Sequence, residues 1–364
     1  MKFKMTRGAI LDALQIVQGL VSARSTLPIL ANVLLKADKN KLWLSTTDLE
    51  VSVRCAVEAD VTKSGITTLP ARRLVSIVKE LPAEEVDFEI DEKNIATITC
   101  GSSLFKIIGL SDEEFPPLPD FKGKFKYTLE QKAFKQMLGQ ISYAASADDT
   151  RYVLNGLLLS FKDEKLTMVA TDGRRLGLIE ANVEFPKEAE VDMIVPSKAI
   201  NELEHSLGEE GELKISACSN QVAFEFGEIL IVSKLIEDTY PNYKQVIPSE
   251  CDERVTLERE TLLTAVKRVA LLTSEKSNSV RLTFKKNKLR IEAITPEVGE
   301  AHETMSLKYS GKEISVAFNP EYMMEPLRRL TTDEVYLELT DELSPGVLKC
   351  EQPFLYVLMP MRIS

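Results

Sequence analysis

Two aspartates end apolar strands at matching places in the chain, and they are the first candidates for chemistry. Asp48 lies in the sequence TTDLEV and Asp172 lies in ATDGRRL. A carboxylate at a strand end can act as a general acid or base, but aspartate also forms turns in which its side chain accepts backbone N–H groups. Because the residue recurs in the same local setting, a turn-forming role explains both copies and catalysis is not indicated.

Other signatures of catalysis or metal binding are missing from the sequence. It has no GxSxG, GxxxxGK[ST], GxGxxG or HExxH motif. Its two histidines, His205 and His302, stand beside glutamates and near no cysteine pair, so we interpret them as solvated surface residues. Asp148 and Asp149 lack the spacing of a calcium loop. We therefore expect no catalytic residue, no metal and no cofactor.

The composition is typical of a globular protein of the reducing cytoplasm. The 364 residues are 44% hydrophobic and 28% charged, and this length points to two or three domains. Five cysteines without a CxxC pair argue against a disulfide framework or a zinc ribbon. No run of 18 apolar residues is present, so we expect no membrane-spanning segment. Helical spacing of the N-terminal apolar residues favours an amphipathic helix over a signal peptide.

One pattern of strands and helices occurs three times. VLLKADKNKLWLSTTD, GLLLSFKDEKLTMVATD and VRLTFKKNKLRIEAIT each read as an apolar strand, a charged turn and an alternating strand. Their leading leucines, Leu42, Leu166 and Leu289, are 124 and 123 residues apart. PARRLVSIVKEL, PSKAINELEHSL and NPEYMMEPLRRL repeat at a similar period, each with a proline at a helix start. The chain is therefore a triplicated domain.

Each repeat runs helix, strands, helix, strands, which predicts an α+β fold with helices on one sheet face. We expect helices in six segments: 7–24, 70–81, 130–151, 196–208, 258–276 and 319–330. Joints with an aromatic residue before proline, FPPLP and YPNY, end the first two repeats. The predicted domains are residues 1–123, 124–252 and 253–364.

Several motifs in this order resemble the bacterial DNA sliding clamp family, the β subunit of DNA polymerase III. They are LPIL at Leu27, TDLE at Thr47, RYVLNG at Arg151, ATDGRRL at Ala170, YPNY at Tyr240 and VLMPMR at Val357. The match runs from Met1 to Arg362 with little insertion. The resemblance implies three repeated DNA-clamp domains in a head-to-tail dimeric ring, with helices lining the inside and sheets on the outside.

The implied function is that of a non-catalytic processivity factor, which encircles double-stranded DNA and tethers the replicative polymerase. Implied partners are the DNA polymerase III catalytic subunit, the clamp loader, and other polymerases and repair proteins that carry a short peptide motif. The implied assembly is a homodimer in the cytoplasm, away from membranes. A rival hypothesis is a triplicated β-rich hydrolase or carbohydrate-binding protein that uses the repeated strand-end aspartates.

The charge distribution is compatible with a ring. The net charge of −11 argues against holding nucleic acid by bulk electrostatics. The six expected helical segments together carry +3, so the rest of the chain carries −14. A ring stays on DNA by topology, so weak and mobile phosphate contacts along the helices suffice.

The resemblance assigns DNA contacts to seven residues: Arg24, Arg72, Asp148, Arg151, Tyr152, Val153 and Lys198. Asp148 and Val153 stand where relatives carry Gln and a second aromatic residue, so we expect weaker contacts from that loop. It also assigns a dimer joint, in which Phe105 and Ile107 meet Leu271 and Leu272 of the partner subunit, and Arg73 pairs with Glu297. Leu104 and Ser102 replace arginines of relatives there.

The resemblance finally implies a pocket for short, partly apolar peptides between the second and third domains. Its residues are Leu154, Thr171, Gly173, Arg174, Arg175, Leu176, Pro241, Val246, Leu343, Val357, Met359, Pro360, Met361 and Arg362. The apolar C-terminal run FLYVLMPMRI agrees with this site, since chain ends are usually polar. Gln245 replaces a basic residue of relatives and Pro345 a small polar one, which predicts an altered rim.

Overall fold

A computed structural model describes residues 1–21, 27–82, 84–118, 121, 123–148, 150–274 and 278–362. The chain forms two compact units. The first contains Met1–Lys135 and Lys198–Leu235, and the second contains Gln136–Ser197 and Ile236–Ser364. The division falls inside the second repeat, because strands of this repeat pair with both of its neighbours. The domain boundaries after residues 123 and 252 remain predictions.

Each repeat contributes two α-helices to the described part of the chain. They are α1 (Arg7–Val17), α2 (Ala71–Glu80), α3 (Gln131–Ile141), α4 (Ser197–Ser206), α5 (Arg259–Val269) and α6 (Pro320–Arg329). The helical segments predicted from the sequence are longer than the observed α-helices. One reason is that α1, α3 and α5 continue as tighter 3-10 turns. Pro70 and Pro196 end the preceding strands, whereas Pro320 begins its helix. The fixed φ of proline suits both positions.

The strands follow the three repeats. The first repeat holds β1 (Lys2–Thr6), β2 (Asn32–Asp38), β3 (Lys41–Thr47), β4 (Val51–Glu58), β5 (Asp60–Lys63), β6 (Gly65–Pro70), β7 (Glu85–Ile90), β8 (Ile95–Cys100) and β9 (Ser103–Ile108). The second holds β10 (Phe125–Glu130), β11 (Gly156–Lys162), β12 (Lys165–Thr171), β13 (Arg175–Asn182), β14 (Val191–Pro196), β15 (Glu212–Ala217), β16 (Gln221–Phe226) and β17 (Ile229–Lys234). The third holds β18 (Glu253–Glu258), β19 (Val280–Lys285), β20 (Lys288–Thr295), β21 (Gly299–Ser306), β22 (Ile314–Phe318), β23 (Glu334–Leu339), β24 (Gly346–Lys349) and β25 (Phe354–Leu358).

Each unit contains one sheet that joins two repeats. In the first unit the eight-stranded order is β10-β15-β16-β17-β4-β3-β2-β6, and in the second it is β14-β11-β12-β13-β25-β24-β23-β18. The joining pairs, β4 with β17 and β13 with β25, are antiparallel. The other two sheets, β5-β1-β7-β8-β9 and β21-β20-β19-β22, end at β9 and β21. Among the described residues, these two strands keep an open edge where the equivalent strands are paired.

The repeated apolar positions form the cores. Leu42, Leu166 and Leu289 are fully buried, as the alternating strand pattern predicts. The repeated helix positions Leu14, Leu138 and Val266 are also fully buried. In the first unit α1 packs against α2 and β4, and in the second α5 packs against α6. The helices therefore bury one apolar face each, as their 3.6-residue periodicity predicts.

The residues that could carry other chemistry have ordinary surroundings. His205 and His302 are exposed, as expected. All five cysteines are free. Within the described ranges, no group of three or more His, Cys, Asp or Glu side chains could hold a metal ion. None of the described helices has both the length and the apolar character needed to cross a membrane.

Candidate functional site

The two strand-end aspartates form the same kind of turn. Oδ1 of Asp48 accepts hydrogen bonds from the backbone N–H of Glu50 at 3.0 Å and of Val51 at 2.8 Å. Oδ1 of Asp172 accepts from Arg174 at 2.8 Å and from Arg175 at 3.1 Å. The turn-forming interpretation is confirmed. The rival hydrolase hypothesis loses its proposed carboxylates, because both are engaged in backbone turns.

The predicted pocket residues gather at one end of the sheet of the second unit. Arg175 of β13 pairs with Leu358 of β25, and Leu358 also pairs with Gly346 of β24. Beyond this row, the backbone N–H of Met359 donates to the carbonyl of Arg174 at 3.0 Å. The start of β13 in the second repeat and the end of β25 in the third therefore meet here through regular backbone hydrogen bonds.

An apolar cluster forms the base of this region. Its buried members are Leu158, Val169, Leu176, Ile194, Ile236, Tyr240 and Val357, and partly buried Val153, Tyr243 and Ile247 pack against it. Leu176 and Val357 are almost completely buried, so they support the surface from beneath. Val246, Leu343 and Met359 of the same unit are exposed, with fractions of 45%, 67% and 41%. Exposed apolar side chains over an apolar base are what a site for a short hydrophobic segment requires.

Arg175 is fixed by contacts on several sides. Its Nε donates to Oδ2 of Asp172 at 3.1 Å, and its Nη2 donates to the carbonyl of Tyr143 at 2.5 Å. The guanidinium carbon lies 4.3 Å from the ring centre of Tyr322, which is cation–π geometry. Burial disfavours its charge, but Tyr356 and Asp172 outweigh this effect, so the pKa of Arg175 is raised. Arg175 is a rigid, permanently charged group in the pocket region.

The remaining pocket residues belong to the same unit. Thr171 Oγ1 donates to the carbonyl of Arg175 at 2.6 Å, and Gly173 takes a φ of +84°, which favours glycine. Leu154 closes a 3-10 turn beside Val153. Pro241 follows the buried Tyr240 and is exposed, as is Arg362, whereas Pro360 and Met361 are half-buried. The structure brings these residues together, and their role in binding stays a prediction.

The loop assigned to DNA contact presents one aromatic ring and a partly neutralised arginine. Tyr152 is 60% exposed and half-buried Val153 packs inward. Arg151 donates from Nη1 to the carbonyl of Asp172 at 2.7 Å, and its Nε lies 3.8 Å from Oδ2 of Asp148. Hydrogen bonds from Thr150, with a smaller contribution from Arg151, lower the pKa of Asp148. Asp148 therefore stays ionised and offsets the charge of Arg151.

The other DNA-assigned cations lie at the starts of equivalent helices. Arg72 is exposed on α2, and its Nη2 donates to the carbonyl of Val21 at 3.2 Å. Lys198 on α4 forms a close ion pair with Oδ2 of Asp48, whose side chain is only 15% exposed. Arg24 lies outside the described residues. Of the two cations that can be compared, Lys198 is paired with a carboxylate, whereas Arg72 forms no ion pair with any described residue.

Glu202 lies one helical turn after Lys198 and is 7% exposed. Its carboxylate approaches the backbone of Gly19 so closely that a Cβ there would overlap it. Oε2 has no hydrogen-bond partner among the described residues. Burial raises the pKa of Glu202 to about 7, with Lys198 opposing the shift and Asp48 adding to it. This carboxyl therefore keeps its proton to a higher pH than an exposed glutamate does.

The residues assigned to the dimer joint lie at the two open sheet edges. On β9, Phe105 is 36% exposed, whereas Ile107 is 6% exposed and already belongs to the core of its own unit. Arg73 is exposed on α2. In the second unit Leu271 is 76% exposed and Leu272 is half-buried, and Glu297 is exposed in the turn before β21.

Comparisons with known proteins identify the family. Three models of the DNA polymerase III beta subunit match the chain: the N-terminal domain over residues 1–119, the central domain over 128–242 and the C-terminal domain over 244–362. The chain belongs to the DNA polymerase III beta subunit family. The beta sliding clamp of Chlamydia muridarum is 34% identical over 363 residues, covering 100% of this chain and 99% of the relative. That of Pseudomonas putida is 35% identical and covers all of both chains.

A solved beta subunit has the same fold. The sliding clamp of Pseudomonas aeruginosa bound to griselimycin superposes with a TM-score of 0.94 at 33% identity, covering 100% of both chains. The α+β fold of three repeated domains is therefore confirmed, and the hydrolase or carbohydrate-binding alternative is not supported.

Sequence reasoning missed several beta-subunit contacts that the repeat itself could have revealed. Lys198 and Tyr322 each lie two residues after a repeated proline. Lys198 contacts Asp48 in the turn of the first repeat, and Tyr322 contacts Arg175 in the turn of the second. The same helix position therefore meets the same turn of the preceding repeat. The repeat alignment contains this signal.

Glu202→Gln should change the pH dependence of stability. Between pH 4.5 and about 7 the folded protein keeps a proton that the unfolded chain has lost, so the free energy of unfolding falls as pH rises through this window. At pH 8 we expect the variant to be more stable by roughly 1–3 kcal/mol, and near pH 4.5 this gain should disappear. Thermal unfolding at pH 8 and at pH 4.5, monitored by circular dichroism, measures both stability differences. The substitution of exposed Glu92, Glu92→Gln, is the control. An equal difference at both pH values would contradict the shift.

Proposed function

We propose that the chain is a DNA sliding clamp, a non-catalytic processivity factor that encircles duplex DNA as a head-to-tail dimer. It would tether the DNA polymerase III catalytic subunit and other peptide-bearing polymerases and repair proteins to their template in the cytoplasm, after a clamp loader has placed it there. Tethering raises the local concentration of the polymerase without adding chemistry.

The open edges of β9 and β21 carry this proposal. Within the chain, β4 pairs with β17 and β13 pairs with β25, so each repeat joins the next through one antiparallel strand pair. β21 occupies the position of β4 and β13 in the third repeat, and β9 occupies that of β17 in the first. An unpaired edge is a template for another chain. Two copies joined head to tail would pair both open edges and close a ring.

The repeats also suggest the register of this pairing. In each repeat, one strand residue pairs with the position three residues after the leading leucine, and these residues are Arg54, Leu178 and His302. On its other side, Arg54 pairs with Leu230 across the first joint, and Leu178 pairs with Leu355 across the second. Leu104 is equivalent to Leu230, because each lies three residues after a positive-φ glycine. Leu104 of one subunit should therefore lie opposite His302 of the other.

The surfaces beside the two edges support the same joint. Leu104 and Ile108 are 60% and 74% exposed beside β9, which is more apolar surface than an isolated edge normally shows. Beside β21, Leu271, Ile294 and Val298 are 76%, 58% and 53% exposed. Burying both groups in one joint would remove this apolar area from water.

Charge at the helix starts supports DNA inside the ring. The chain carries −11 overall, yet Arg72 and Arg73 begin α2 and Lys198 begins α4. Closed topology holds the ring on DNA, so a few mobile phosphate contacts are enough and strong ones would oppose sliding. The apolar region around Met359 and Arg175 is the proposed docking site for partner peptides.

A cysteine pair tests the joint. Leu104→Cys combined with His302→Cys should form disulfides between subunits, because directly opposed residues of antiparallel strands have Cβ atoms about 4.5–5.5 Å apart. Electrophoresis without reductant should show a cross-linked dimer, and each single variant should stay monomeric on the gel. Phe105→Cys with His302→Cys is the out-of-register control, since these side chains would point to opposite sheet faces. Cross-linking of the control alone would reject the register.

Deleting residues 360–364 tests the peptide site. The deletion leaves β25 intact and removes the bond from the N–H of Met361 to the carbonyl of Ala317 at 2.8 Å. Loss of a pocket anchor costs about 2 kcal/mol, so binding should weaken by roughly thirtyfold. Fluorescence anisotropy with a labelled polymerase-tail peptide measures this loss, and sedimentation should show an unchanged dimer. Full affinity with an intact dimer would exclude the C-terminal run from the site.

Retention on DNA tests the function itself. After loading by a matching ATP-driven loader, the labelled protein should co-elute with nicked circular DNA in gel filtration. It should be lost once the circle is cut, because only topology holds it. Equal loss from circular and linear DNA would rule out a sliding clamp.

A further inference from the structure

Lys198 forms an ion pair with Asp48, whose equivalent in the second repeat, Asp172, instead pairs with a cation of its own turn. In the second repeat, Oδ2 of Asp172 accepts a hydrogen bond from Nε of Arg175 at 3.1 Å. The equivalent place in the first repeat is occupied by Val51, which has no charge. Oδ2 of Asp48 instead pairs with Lys198 of α4, while its Oδ1 keeps the backbone turn. The ion pair therefore joins the first repeat to the second within one compact unit.

A second carboxylate stands behind the same ammonium group. Glu202 follows Lys198 by four residues, so both side chains lie on one face of α4. Its neighbours among the described groups that bear charge are Lys198 on the same helix and Asp48 on the facing turn. The adjacent 3-10 turn approaches it with the backbone of Gly19, which adds no charge. One cation thus faces two carboxyl groups.

We propose that Asp48 and Glu202 form a carboxylate brake, which keeps the contact between Lys198 and DNA phosphate weak so that the ring can slide. This inference rests on the proposed function. A phosphate competes with Asp48 for the charge of Lys198, and a full transfer to the phosphate would leave the largely buried side chain of Asp48 without its cation. A phosphate must also approach past the charge of Asp48 and of any ionised Glu202. Among the described residues, Arg72, at the equivalent helix position, has only a carbonyl partner, so it makes the stronger contact.

The brake predicts how DNA binding depends on salt. Each phosphate contact adds about 0.9 to the slope of log affinity against log salt. Asp48→Asn keeps an oxygen for the backbone turn and frees Lys198, so affinity for duplex DNA should rise. The slope should steepen by about 0.9 for each freed Lys198 that contacts a phosphate, which is at most about 1.8 for the two copies in the dimer. Lys198→Ala alone should change the slope by much less than Arg72→Ala. In the Asp48→Asn background, Lys198→Ala should abolish the gain.

The experiment is fluorescence anisotropy of a labelled duplex over a series of potassium chloride concentrations, with the full-length protein. Asp91→Asn is the matched control, because Asp91 also accepts two backbone N–H groups in a turn of the first repeat and forms no ion pair within the described chain. It changes net charge by the same amount. Fluorescence of the single tryptophan, Trp43, and thermal unfolding report whether each variant is folded.

A pH comparison tests the second carboxyl. Protonation of Glu202 removes one of the two negative charges, so wild-type affinity should rise from pH 8 to pH 6. Glu202→Gln should bind at pH 8 as tightly as wild type does at pH 6 and should lose most of this dependence. His205 is exposed on the same helix, so the comparison is repeated in a His205→Gln background.

The outcomes separate the brake from the proposed function. If Arg72→Ala weakens binding but Asp48→Asn behaves like Asp91→Asn, the protein binds DNA and the brake is wrong. If Asp48→Asn lowers affinity in a folded protein, Asp48 positions Lys198 for phosphate and the brake is again wrong. The brake is also wrong if the gain in DNA affinity from Asp48→Asn persists when Lys198→Ala is added. If the wild type shows neither salt-dependent binding nor retention on circular DNA, the proposed function itself fails.

Discussion

The hydrogen-bonding requirement of edge strands organises this protein. Each repeat has two strands, equivalent to β4 and β9, that would be left open if the repeat folded alone, and backbone N–H and C=O groups need partners once they leave water. Inside the chain, β17 covers β4 and β25 covers β13. Three repeats in one chain supply only two such joints. Among the described strands equivalent to β4 and β9, only β9 and β21 lack such a joint, and the proposed ring pairs them with those of a second copy.

The Asx turns show how one local structure takes on different roles at different joints. Asp48 and Asp172 make the same pair of backbone hydrogen bonds. In the second repeat Arg175 neutralises the free carboxylate oxygen and stacks on Tyr322, which produces a rigid cation in the apolar pocket region. In the first repeat, the equivalent oxygen of Asp48 forms an ion pair with Lys198 instead. Two residue differences between the repeats, Val51 against Arg175 and Lys198 against Tyr322, thus separate the proposed DNA contact from the proposed peptide site.

The last strand links fold and function. β25 lies in the middle of an eight-stranded sheet, so the apolar run that ends the chain is structural through Leu358 and exposed only beyond it. Val357 is a buried member of the apolar cluster, whereas Met359 is 41% exposed. A sequence pattern of alternating apolar residues predicts the strand but cannot separate these two roles, because both positions belong to one continuous run.

The sequence by itself determined the triplication, the α+β class, the core positions such as Leu42 and Leu166, and the turn role of Asp48. These features depend on residues close together in the chain, where periodicity and turn chemistry act directly. Only the tertiary structure decided that Lys198 is paired with Asp48 and that Glu202 is buried behind it. These contacts join residues about 150 positions apart, and both charge pairing and burial depend on neighbours that no local pattern specifies.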